Sequence, residues 1–175
     1  MAETKFEYLP KLIRRTRLAH IHAEKRFLAL DVLAKHATVY YACWTTVLSL
    51  TTLYADCSWL SPLAVACSIV VALCSVFASS QNYAVRAERM KISYISLQEL
   101  WLEFDSDFAS DEERASFADE AGRRYVAILK QTENHCNQDD IENRSDLAKL
   151  KWNVLRISVY SAPCIVCAAV VFLGL

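Results

Sequence analysis

LSPLAVACSIVVALCSVFASSQNYAVRAERMKISYISLQELWLEF, residues 60–104, carries no charge before Arg86 and, after Pro62, neither glycine nor proline. Its first part, residues 60–85, belongs to a 29-residue uncharged run between Asp56 and Arg86. At about 1.5 Å per residue, residues 60–80 rise about 31 Å as a helix, the thickness of the hydrocarbon layer of a bilayer. Two further uncharged runs of 19 residues each occupy 37–55 and 157–175. The sequence therefore predicts three transmembrane helices, at about 37–55, 60–80 and 157–175. The competing reading is a buried hairpin in a soluble helical bundle, because the first run holds Thr38, Thr45, Thr46, Ser49, Thr51 and Thr52. Tyr40, Tyr41, Trp44, Tyr54 and Trp59, near both ends of the hairpin, fit the aromatic belts of a membrane interface. Pro62 sits in a first helical turn, where its missing N–H costs nothing.

Of 175 residues, 54% are hydrophobic and 22% charged, and the two kinds occupy different segments. Two glycines and three prolines are too few for hairpin turns or Rossmann-type loops, so long helices follow. A net charge of −1 argues against a nucleic-acid binder, which needs a basic excess. The first 36 residues hold eight Lys/Arg and no apolar core of a signal peptide. All 19 Lys/Arg fall in 1–36 or 81–156. The positive-inside rule then puts the amino terminus and the middle segment in the cytoplasm, and the 56–61 loop and the carboxyl terminus outside.

Past the second run, Tyr83, Ala87, Met90, Tyr94, Leu97, Trp101 and Phe104 recur in steps of four and three, a heptad seam. The spacing predicts a helix that continues unbroken for about 30 Å beyond the bilayer. A first helix is expected from near Lys11 to Ala55, with Leu18, Ile21, Leu28 and Val32 on its apolar face. Counted from the membrane, Arg14, Arg15 and Arg17 then stand level with Glu103, Asp105 and Asp107 across two antiparallel rods, which predicts contact between these charges. Ser110 and Glu113 form a capping box for a helix reaching about Lys130. The expected organisation is a cytoplasmic amino-terminal helix (1–36), a transmembrane hairpin (37–80), a cytoplasmic extension and helix (81–131), a polar loop (132–144), and a helix capped by Ser145 that enters a third span (145–175). In fold class this is an all-α membrane protein, a long antiparallel hairpin crossing the bilayer with a cytoplasmic helical bundle.

Chemistry is sparse. Cys43, Cys67, Cys74, Cys164 and Cys167 lie within predicted spans, where cysteine is a small apolar packing residue. His20 shares a helical face with Glu24, a spacing more typical of a solvated contact than of a metal site. There is no GxSxG, Walker loop or HExxH motif, so no enzyme, cofactor or metal is expected. What stands out is a pair of small-residue stripes. Thr38, Ala42, Thr45, Ser49, Thr52 and Asp56 follow helical spacing on the first run, and Ser61, Ala64, Ser68, Ala72, Ser75 and Ser79 do so on the second. In an oligomer, Thr38, Thr45, Ser49, Thr52, Ser68, Ser75 and Ser79 would line a water-filled path with Asp56 as an acidic ring at its mouth. Equally, small residues let membrane helices pack closely. Both readings stand on the sequence.

RRTRLAHIHAEKRF (14–27), TVYYACWTTVLSL (38–50) and SVFASSQNYAVRAERMKISYISLQEL (75–100), in this order and layout, resemble the SLATT proteins, bacterial membrane effectors associated with SMODS and SLOG domains. The resemblance implies a homo-oligomeric, pore-forming or membrane-disrupting effector of an anti-phage conflict system, multi-pass in the inner membrane. It implies activation by a nucleotide second messenger or by a partner sensor or synthase protein. The alternative is a non-conducting membrane anchor that presents a helical interaction module.

Overall fold

The computed structural model describes residues 4–54, 60–132 and 151–161, and every regular element among them is helical: α1 (Lys5–Thr51), α2 (Leu60–Ser80), α3 (Tyr83–Leu102), a 3-10 turn (Glu103–Asp105), α4 (Asp111–Lys130) and α5 (151–161). The chain divides into two compact units, Met1–Leu28 with Tyr83–Ser145, and Ala29–Asn82 with Asp146–Leu175. Asp56, Cys57, the loop beyond Thr132, the cap at Ser145, and the Cys164 and Cys167 pair lie outside the described residues, as does the third expected span beyond Ser161.

α1 begins earlier than expected, at Lys5. The cause is a capping arrangement that the sequence also spells: Thr4-x-x-Glu7 places the Glu7 carboxylate 3.1 Å from the Thr4 backbone N–H, and Thr4 O accepts from the Glu7 and Tyr8 N–H groups. Pro10 is then inside the helix, where it removes one backbone bond. The cost is offset by Phe6, whose ring lies 5.4 Å from Phe104, 5.3 Å from Phe108 and 6.4 Å from Phe117. α1 runs for 47 residues, about 70 Å, and ends at Thr51 in two i→i−3 bonds, from the Leu53 and Tyr54 N–H groups.

The expected unbroken rod from 60 to 104 is not formed. Asn82 adopts φ 50, the left-handed conformation that ends helices. Gln81 and Asn82 donate to Ala78 O and Ser79 O in short i→i−3 bonds, and the Asn82 amide turns back to Ser80 O at 3.2 Å. Asparagine tolerates this conformation, so a break needs no glycine. It falls where the chain passes from the second unit to the first.

In the first unit, α1, α3 and α4 form a three-helix bundle around Leu9, Ile13, Leu97, Leu100, Phe104, Ala121 and Tyr125. Of the seam, Ala87, Met90, Leu97 and Phe104 are buried, whereas Tyr83, Tyr94 and Trp101 are half-buried and Ser93 and Leu100 complete the buried face. On α1 the buried face is Leu9, Ile13, Thr16, Ala19, His20, Ala23 and Phe27. Leu28 and Val32, expected inside, are 44% and 50% exposed. Ala19, Ala23 and Ala87 are buried on the facing surfaces instead. α4 starts behind Ser110, whose Oγ accepts from the Glu113 N–H, while the Glu113 carboxylate reaches back to the Ala109 N–H.

α1 and α3 are antiparallel, with Phe6 beside Phe104, His20 beside Ser93 and Phe27 beside Tyr83. This register places Arg14 opposite the middle of α3 and Glu103 opposite the first turns of α1. The expected contact between Arg14, Arg15 or Arg17 and Glu103 is therefore replaced. Glu103 takes a two-pronged pair from Arg124 of α4 at 2.5 and 2.7 Å, and Arg17 places its guanidinium 5.7 Å from the Trp101 ring centre. Asp105 and Asp107 are exposed. The height estimate erred because it matched the ends of two uncharged runs, and the packed helices are displaced by about two turns from that alignment. The amino-terminal arm still makes a charge contact, from Lys5 to Asp119 on α4.

Two outcomes are expected in detergent-solubilised protein. Phe104→Ala, which removes the ring shared by Phe6 and Phe117, should destabilise the bundle by about 3 kcal/mol in a thermal or denaturant melt. The Arg124 guanidinium holds the Glu103 carboxyl below its usual range, so its stabilisation is present above about pH 4.3 and lost as pH falls through the lowered value. Both side chains are more than a third exposed, so Glu103→Gln should cost under about 1 kcal/mol at pH 7, and that difference should disappear in acid.

Candidate functional site

The second unit presents an apolar surface. On α2, Val65, Ile69, Val70, Leu73, Val76 and Phe77 are each more than half exposed, and Val39, Val47, Leu50 and Leu53 on and just after α1 are equally so. Only 11% of the most apolar window of the candidate membrane helix, which starts at Leu60, is buried. A core helix of a soluble bundle has the opposite property. Exposed apolar area on this scale marks contact with lipid or with other chains. Among the described residues, this helix is the one long and apolar enough to cross a membrane. The later part of α1 and the turn after it, with six serine and threonine side chains from Thr38 to Thr52, lack that hydropathy.

Six members of the two small-residue stripes meet within this unit. Ser49 and Thr52 of the first stripe and Ser61, Ala64, Ser68 and Ala72 of the second line an open cleft of about 400 Å³, with Val65 and Ile69 beside them. Five hydroxyls of the two stripes, of which Thr52 and Ser68 line the cleft, donate to nearby backbone: Thr38 to Ala34 O, Thr45 to Ala42 O, Thr52 to Ser49 O, Ser68 to Ala64 O and Ser75 to Val71 O, all at 2.7–2.9 Å. Each proton is thus used on backbone, which removes the cost of placing a hydroxyl in an apolar surrounding. The oxygen lone pairs remain as acceptors. Thr38, Thr45, Ser75 and Ser79 are not among the residues lining this cleft, and Asp56 is outside the described residues.

An apolar helix left uncovered by its own chain, in a unit where residues of two small-residue stripes share a cleft, sets the context for the comparison. The chain belongs to the SMODS and SLOG-associating 2TM effector domain family 5. The family's pattern matches residues 2–174, so it takes in both units and the carboxyl-terminal apolar run. Neither the curated proteins nor the solved structures include a significant match. Membership in this effector family and the exposed apolar helix together assign the protein to the membrane.

The helical unit of this family member holds polar groups that residue spacing did not reveal. His20, 1% exposed, bonds through Nδ1 to the buried Ser93 hydroxyl at 2.9 Å, so it is a core group and not the solvated partner of Glu24. Thr16 and Tyr125 share a buried hydroxyl bond of 2.8 Å. Arg17 keeps its Nε buried without a hydrogen-bond partner among the described residues. All three occupy one stretch of α1. The signal that would have found them is the interval itself: Thr16 and His20 are four apart on the face marked by Leu9, Ile13, Ala23 and Phe27. Among the described residues, Cys43, Cys67 and Cys74 are unpaired, and no group of three metal-ligating side chains occurs.

If lipid covers α2, the protein expressed in bacteria should sediment with envelopes, resist extraction by alkaline carbonate, and dissolve in mild detergent. Recovery as a monodisperse species in plain buffer would contradict the assignment.

Proposed function

We propose that this family member is a bacterial inner-membrane effector, multi-pass with its amino terminus in the cytoplasm, whose copies assemble and open a conducting or disrupting path when the helical unit is triggered. The observation that carries the proposal is the convergence of two hydroxyl-bearing faces on one cleft inside an otherwise apolar unit. Hydroxyls that donate to backbone still offer oxygen lone pairs to water or cations, as a path through lipid requires. The name of the family points to association with SMODS and SLOG proteins, and hence to a nucleotide second messenger or a sensor or synthase protein as the trigger.

α1 is the natural transmitter, because its residues up to Leu28 belong to the helical unit and those from Ala29 to the apolar one without a break in the helix. The α2–α3 connection has its break at Asn82 and is a hinge in this scheme. To take a closed state from 1% to 99% open, the trigger must prefer the open form by about 5.5 kcal/mol.

Induced expression with a potential-sensitive dye tests the proposal. With trigger or partner co-expressed, the wild-type chain should depolarise cells, and Thr45→Leu, Ser49→Leu and Thr52→Leu combined should abolish this while membrane insertion persists. Intact potential under every triggering condition would instead make the chain a non-conducting anchor for its helical unit.

A further inference from the structure

In the first unit, α1 and α3 each carry a second stripe on the side turned away from the core. On α1, Arg14, Leu18, Ile21, Lys25 and Leu28 recur in steps of four, three, four and three. The core side of this stretch holds Ile13, Thr16, His20, Ala23 and Phe27, about half a turn away. Arg14, Lys25 and Leu28 are exposed, and Leu18 and Ile21 are half-buried. On α3, Val85, Glu88, Ile92, Ile95 and Glu99 recur in steps of three, four, three and four, opposite the buried Ala87, Met90, Ser93, Leu97 and Leu100. All five are exposed, Val85, Ile92 and Ile95 by 50%, 56% and 43%. The packed bundle thus leaves uncovered two heptad seams, one basic and one acidic.

The two seams also match in height. His20 and Ser93 mark one level of the antiparallel pair, and the Phe6–Phe104 and Phe27–Tyr83 contacts agree with it to within one turn. Counted in equal steps from that level, Arg14 stands level with Glu99, and Lys25 with Glu88. Between these charges Leu18 is level with Ile95 and Ile21 with Ile92, and beyond them Leu28 is level with Val85. Every basic position on one seam has an acidic counterpart on the other, and every apolar position an apolar one.

We infer that the outer seam of α1 docks on the outer seam of α3 of a second copy, pairing Arg14 with Glu99 and Lys25 with Glu88 across the contact.

Within one chain the two seams point away from each other, so they cannot meet. Copies inserted with the same orientation in one membrane lie side by side without inversion, so α1 of one runs antiparallel to α3 of the next. Rotation about an axis parallel to the bundle keeps equal heights together, which is the register the residues match. The contact is head-to-tail: each copy offers one seam of each kind, and repetition closes into a ring or continues as a row. The charges fix the register, because a slide of one heptad would set Arg14 against Ile92 and Glu88 against Leu18. Confinement to a membrane raises the local concentration of copies, so a surface of this modest size suffices. The inference rests on the proposed function only in requiring that copies share a membrane.

Cross-linking with charge complementation, in membranes of cells expressing the full chain, tests the contact. Leu18→Cys and Ile95→Cys introduced together should give oxidant-dependent multimers, above the background of the native cysteines and of either substitution alone. Leu18→Cys with Val85→Cys, about 15 Å out of register, should not. Adding Arg14→Glu and Lys25→Glu to the first pair should cut the yield about tenfold, as should adding Glu88→Lys and Glu99→Arg, since two exposed attractions become repulsions each time. The two reversed chains, co-expressed with different tags, should cross-link to one another at near wild-type yield, which also shows that both fold. Equal yields from reversed and unreversed chains, no recovery in the mixture, or equal cross-linking at Val85 and Ile95 would overturn the inference. Absence of multimers from the Leu18 and Ile95 pair would overturn it too, and leave the seams to a different protein. Cross-links without depolarisation would uphold this contact and remove only the conducting path.

Discussion

A helix with valine, leucine, isoleucine and phenylalanine facing outward on most sides needs a non-aqueous environment, and this chain does not supply one from its own residues. α2 buries little more than Leu60 and Ala64. At about 25 cal/mol for each Å² removed from water, leaving so many large side chains in water would exceed the marginal stability of a domain. Lipid, or further copies within lipid, removes the conflict. Hydroxyls of the second unit suit that surrounding by donating to backbone, as Ser68 and Tyr41 do.

The first unit obeys the opposite economy. Its helices bury a stripe of alanine, leucine and aromatic residues and keep their charges on the surface, where Glu103–Arg124 and Lys5–Asp119 are exposed pairs of modest worth. Burial of the Thr16–Tyr125 and His20–Ser93 pairs adds direction to that packing. Such pairs penalise any sliding of α1 along α3 or α4, since each displaced hydroxyl or imidazole would lose its partner in the core. The four phenylalanines at 6, 104, 108 and 117 close the end of the bundle where a proline lies inside a helix.

The chain crosses between the units three times, and the two crossings within the described residues differ. α1 passes through Leu28 and Ala29 with its hydrogen-bond ladder intact, whereas the α2–α3 connection has a left-handed asparagine. In the proposed mechanism the continuous helix carries displacement and the break at Asn82 gives way to it. The helix end at Asn82 is therefore a functional feature of the proposed mechanism, and its residue type is the one besides glycine that adopts this backbone at little cost.

Helix as the only regular element among the described residues, the position of α2 and the start of α4 were legible in residue order. Uncharged runs, few glycines and prolines, and the Ser110–Glu113 spacing act locally, and local signals survive without knowledge of the fold. Family membership was legible for the same reason, from three segments in a fixed order. Thr4-x-x-Glu7 was equally local but was masked by Pro10. What only the tertiary structure decided was register and partner. The buried face of α1 is set by its neighbours, and it holds Ala19 and Ala23 while Leu28 and Val32 are exposed. Glu103 found Arg124 because two helices packed about two turns away from the alignment of their uncharged runs. Tyr41 met Val159 O across 118 residues of sequence, a pairing that no local spacing records. Periodicity records which residues prefer to leave water; which atoms they then meet is set by three-dimensional packing, where distant segments compete for the same positions.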